Sequence, residues 1–69
     1  MIYLLCFHIT FQVYSLDRFK GVKEAAIFLD AIKNCSHVRR FLQWEAWDQD
    51  GNSINKSLKY ELLLLQEKR

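Results

Sequence analysis

The sequence predicts an α+β domain in the order β-α-β-β: one helix packed on a three-stranded mixed sheet of strand order 1-3-2, ending in a C-terminal β-hairpin. Three observations point there. The first sixteen residues hold no charged side chain and begin with a period-two alternation. An apolar stripe at helical spacing follows from Val22 to Ile32. Asp50-Gly51 then divides two runs of bulky residues, which is a turn signal.

Ile2 to Val13 reads as the first strand. Tyr3, Leu5, Phe7, Ile9, Phe11 and Val13 make one parity, wholly apolar. Ile2, Leu4, Cys6, His8, Thr10 and Gln12 make the other, apolar first and then polar. Such a strand is long beside a usual length of about five or six residues. Asp17 to Gly21 reads as a polar connection. The helix is placed at about Val22 to Asn34, with Val22, Ala25, Ala26, Leu29 and Ile32 on its inner stripe and Phe28 at the flank. Lys23, Glu24, Asp30 and Lys33 face away, Ile27 falls off the stripe, and Asn34 suits a left-handed helix end.

Val38 to Asp48 and Ser57 to Leu65 are the two arms of the expected hairpin. A three-residue loop, Gln49-Asp50-Gly51, puts Gly51 in the left-handed position of a bulge. It aligns Ile54, Leu58, Tyr60, Leu62 and Leu64 with Val38, Leu42, Trp44 and Ala46, and sets Arg39 opposite Glu61. A competing reading makes Ile54 to Lys68 a helix capped by Ser53, since Ile54, Leu58, Leu62 and Leu65 also lie at helical spacing. The pairing across Gly51 favours the hairpin. Leu62-Leu63-Leu64-Leu65 is apolar on both faces and suits a central strand.

Sixty-nine residues make one domain, 1–69, and 51% of them are apolar, which argues against disorder. A net charge of +2 does not by itself call for nucleic acid or an acidic membrane. Cys6 and Cys35 are too few for a disulfide scaffold and read as thiols in a reducing compartment; whether they pair is left open. Met1 to Leu16 is shorter than the roughly 20 apolar residues of a span and lacks a basic leader region, so the expected setting is cytoplasmic, without a membrane.

One helix can cover one face of such a sheet. With the Tyr3, Leu5 and Phe7 parity under it, the outer face is expected to expose Ile2, Leu4, Phe41, Trp47, Leu63 and Leu65, with Arg39 and Lys59 setting orientation. These eight are the expected partner-binding residues. The function they imply is that of a small non-enzymatic protein-binding or regulatory module (an accessory subunit, adaptor or inhibitor), a homodimer in the simplest case. The alternative is single-stranded nucleic-acid binding by Phe41 and Trp47 beside basic residues, although no ribonucleoprotein motif is present.

Other chemistry finds little support in the residues. Asp48 to Asn52 has part of a calcium-loop pattern, but that frame needs acids where Ala46 and Ser57 stand. Cys6 and His8 could approach on one strand face without any oxyanion site. There is no glycine-rich phosphate loop. No catalytic residue, metal site, cofactor or small-molecule substrate is therefore assigned. Arg39-Arg40 and Lys68-Arg69 read as solvated or cross-strand-paired charges, with docking on an acidic protein surface as the functional alternative.

Overall fold

The computed structural model describes residues 1–8, 13–34 and 42–68. Its elements are strand β1 (Ile2–His8), strand β2 (Val13–Phe19), helix α1 (Val22–Lys33), strand β3 (Leu42–Asp48) and helix α2 (Asn55–Glu67). The three strands form one antiparallel sheet in the order β2-β1-β3. The expected mixed sheet of order 1-3-2, with one helix and a C-terminal hairpin, is not what forms.

The first correction lies in the N-terminal third. The expected single strand is two strands that pair with each other, Ile2 opposite Phe19 and Cys6 opposite Ser15, with a bulge between Cys6 and Phe7. A straight twelve-residue strand would run about 40 Å, against about 23 Å for each seven-residue strand here. Folding back gives β1 a hydrogen-bonded neighbour on each side. Asp17 and Arg18, expected in a connection, sit instead on the edge strand β2.

Helix α1 forms where its apolar stripe places it. Ala25, Ala26 and Leu29 are buried, Val22, Phe28 and Ile32 pack beside them, and Ile27 is exposed. Asn34, expected in the left-handed region, ends the helix in the right-handed one, with φ −86° and ψ −6°.

The second correction is at the C-terminus. The expected three-residue loop does form. Gly51 has φ +84°, its N–H donates to the Asp48 carbonyl at 3.1 Å, and the Asp48 N–H donates to the Asn52 carbonyl at 2.9 Å. The return arm stops at a single bridge, Trp47 to Ser53, and the chain then coils into α2. The predicted strand over Ser57 to Leu65, and with it the Arg39–Glu61 pairing, is overturned. From Asn55 to Glu67 the sequence holds no β-branched residue and is rich in Leu, Lys, Glu and Gln. A helix also gathers Leu58 and Leu62 onto one buried stripe, flanked by Ile54 and Leu65. A strand would instead set Tyr60, which is 61% exposed, on the same face as Leu58 and Leu62, and Leu65 on the other.

Both helices lie on the same face of the sheet. The core joins Ile2, Leu4, Cys6 and Ala46 of the sheet to Ala25, Ala26 and Leu29 of α1 and Leu58 and Leu62 of α2. Phe19 and Phe28 close one end, ring centroids 5.2 Å apart. The result is a slab of two layers, 32 × 31 × 16 Å across its Cα atoms.

This reverses the faces expected for β1. Ile2 and Leu4 are 7% and 0% exposed, under the helices, and the Tyr3, Leu5, Phe7 parity turns outward. Side-chain size gives the reason. Cys6 and Ala46 are small and let the helices approach, with the larger Phe19 and Trp44 of that face, on the two edge strands, packed beside the core, whereas Tyr3 and Phe7 on the central strand would hold the helices off. Tyr and Trp also carry a polar handle that tolerates a half-wet position.

Candidate functional site: the open sheet face

Antiparallel register places directly opposed residues on the same face. Tyr3 stands between Arg18 on β2 and Trp47 on β3. In the next row Leu5 stands between Leu16 and Glu45. Phe7 follows, opposite Gln43. Tyr3, Leu5, Phe7 and Trp47 are half-buried by their neighbours, and Leu16 is 65% exposed. Five large apolar side chains thus lie together on the layer that faces away from both helices. A contiguous patch of this kind on a small chain is a common mark of an interface.

Charge on this face is sparse and polarised. Among the described residues it carries one cation, Arg18, on one edge strand, and one anion, Glu45, on the other. The lysines of α1 and α2, namely Lys23, Lys33, Lys56 and Lys59, belong to the opposite layer.

One strand edge is partly occupied. The Ile54 N–H donates to the Ala46 carbonyl at 3.0 Å, and the Ala46 N–H donates to Asn55 Oδ1 at 2.8 Å. Asp48 Oδ1 accepts the N–H groups of Asp50 and Asn52, each at 2.9 Å. These bonds, the one from Asn52 first, hold the Asp48 carboxyl below its ordinary range. The segment after the turn therefore satisfies backbone groups on the outer edge of β3, where a foreign strand would otherwise pair.

Of the eight expected contact residues, Trp47 is the one the structure places on the open sheet face. Ile2 and Leu4 are core, so their assignment to an exposed face is corrected. Leu63, 58% exposed, and Lys59 lie on α2 and share a shallow groove of about 270 Å³ with Lys33, Trp44, Leu62 and Gln66. Leu65 packs against the core. Arg39 and Phe41 lie outside the described residues, as does Cys35.

Tyr3, Leu5, Phe7, Leu16 and Arg18 were not among the expected contacts. A wholly apolar parity reads as core from sequence. The counter-signal was the small pair Cys6 and Ala46, which marks the side a helix can approach.

Among the described residues no three His, Cys, Asp or Glu side chains gather as a metal site. Cys6 is a free thiol, fully buried. Burial pushes its pKa up, the Ser15 hydroxyl lowers it in part, and the Asp17 carboxylate raises it further. A nucleophilic thiol needs the opposite environment. Ser15 Oγ is itself buried without a conventional hydrogen-bond partner, and the thiol opposite it is a weak substitute. No helix among the described residues is long and apolar enough to cross a membrane.

No protein-family model, curated protein or solved structure matches this chain.

Proposed function

We propose that this chain is a small protein-association module that works through the open face of its sheet, without chemistry of its own. The observation that carries the reading is the row structure of that face: Tyr3, Leu5, Leu16 and Trp47 in adjoining register positions, outside both helices. Accessory subunits, adaptors and inhibitors all act in this way.

Magnitudes set the kind of contact. Three strands spaced about 4.8 Å and seven residues at about 3.3 Å give a footprint of roughly 14 by 23 Å, or about 330 Å². At about 25 cal/mol per Å², covering it together with an equal area on the partner would gain at most about 17 kcal/mol before an association cost of about 4–15 kcal/mol. Both partners together would bury about 700 Å², below the roughly 1,200 Å² of a standard stable interface. The face on its own suits weak, reversible binding.

A second reading is favoured by the aromatics: Tyr3 and Trp47 sit side by side, as bases stacking on a sheet require. The charge speaks against it, because backbone phosphates need several cations and this face has Arg18 balanced by Glu45.

The test is capture with the tagged chain, its own untagged copy included among the candidates. Leu16→Glu changes the open face at an exposed position, and Ile27→Glu changes an exposed position on α1. The expected result is loss of bound protein with Leu16→Glu and retention with Ile27→Glu. Equal capture by both variants refutes the reading. Salt-sensitive retention of a labelled single-stranded oligonucleotide, lost with Trp47→Ala, moves the assignment to nucleic acid.

A further inference from the structure

We infer that the occupant of the open face is a second copy of this chain, packed sheet to sheet about a two-fold axis parallel to β1. This rests on the association reading above and names its partner. The argument comes from the placement of the two charges. Arg18 and Glu45 lie on opposite edge strands, with β1 and its apolar column between them. Two identical faces can meet about a two-fold axis in only two simple ways.

An axis across the strands lays β2 on β2 and β3 on β3. The basic edge then meets the basic edge and the acidic edge the acidic one, which is unfavourable in a desolvated contact. An axis along the strands lays β2 of one copy over β3 of the other. Arg18 of each copy then comes over Trp47 of the other, in the same row as Tyr3, where a guanidinium can stack on the indole. Glu45 is one row further along, about 7 Å away, within reach of an arginine side chain. Leu16 of each copy falls over the row of Leu5 and Glu45 of the other. The contact is self-complementary, each patch meeting its own counterpart, as a two-fold interface requires. Sheets packed face to face keep their strands within about 30° of each other, which this axis allows.

The small footprint means that the dimer is concentration-dependent, half-assembled at roughly 1–100 µM. Sedimentation velocity of the full chain over a concentration series spanning that range reads it directly. Leu16→Glu, Arg18→Glu and Glu45→Arg all alter exposed side chains, and circular dichroism confirms that each variant keeps its fold. The expected results are a monomer-to-dimer transition in the wild type and its loss with Leu16→Glu. Arg18→Glu alone and Glu45→Arg alone each weaken the dimer about tenfold, because each brings like charges together. An equimolar mixture of these two variants recovers it, because each copy then supplies the charge the other lacks.

A monomer throughout the series overturns the second copy as occupant. The association reading survives that result if Leu16→Glu still abolishes capture of another protein, and fails if it does not. A dimer lost with Ile27→Glu but not with Leu16→Glu overturns the inference in favour of the helix layer. A dimer untouched by either single charge reversal overturns the axis.

Discussion

Leu58→Ala tests the central structural claim, that the C-terminal third is a helix with one buried stripe. Leu58 is 0% exposed and Leu62 5%, both wedged between the sheet and α1, whereas Tyr60 is 61% exposed and Leu63 58%. Removing a buried leucine to alanine costs about 2–5 kcal/mol, the lost burial plus the cavity left behind. A chain of this length has a total stability of about 3.5–10 kcal/mol at about 0.05–0.15 kcal/mol per residue. Leu58→Ala should therefore remove about a fifth or more of it and lower Tm by at least about 8 °C, at about 4–8 °C per kcal/mol for a domain of this size. Leu62→Ala should do nearly the same. Tyr60→Ala should change stability by no more than about 0.5 kcal/mol, since it lies on the solvent side and alanine is a good helix former. Urea unfolding followed by far-UV circular dichroism measures all three. In a strand, Leu58, Tyr60 and Leu62 would share one face and cost alike. A Tyr60→Ala loss equal to that of Leu58→Ala would therefore refute the helical stripe.

Other positions give equally direct outcomes. Gly51→Ala should cost about 1–2 kcal/mol in thermal unfolding, because φ is +84° while nothing within 4 Å obstructs a new Cβ, so the whole penalty is backbone strain. Gly21→Ser should raise Tm slightly, by about 0.5 kcal/mol of stability, because α1 starts there without a side-chain cap and Glu24 stands where a reciprocal capping pair needs it. The lowered pKa of Asp48 fixes the sign of its pH dependence. The carboxylate contributes stability above the ordinary aspartate value, and that contribution is lost as pH falls through the lower, folded value. The Tm difference between wild type and Asp48→Ala should therefore be largest near neutral pH and shrink in strong acid; a difference that grows on acidification contradicts the turn bonds. In a Cys35→Ser background, Cys6 should react with a thiol reagent no faster than the protein unfolds, and rapid reaction in the native state would show that the thiol is not buried.

How much of this was legible varies by element. Helix α1 was readable because five apolar residues recur at a spacing only a helix can bury together. Gly51 was readable because the turn chemistry is local: Asp48, Asp50 and Gly51 supply it within a few residues. The hairpin of β1 and β2 was missed because Ile9 to Gln12, between the strands, contains no Gly, Pro, Asn or Asp, the residues that signal a reversal. Helix α2 was present in the sequence only as the weaker of two patterns. Tyr60 and Leu64 fit a strand face as well as Leu58 and Leu62 fit a helical stripe.

The sequence by itself determined that this is an α+β chain with more apolar surface than one helix can cover, and where its first helix and tight turn lie. Tertiary structure decided which surface is left open. Parity along a strand says only that two faces differ; which of them meets the helices depends on neighbours distant in sequence. Here Cys6, Ala46, Ala25 and Ala26, small and drawn from three elements, let the layers approach closely on one side. That close approach turned Tyr3, Leu5 and Phe7 outward.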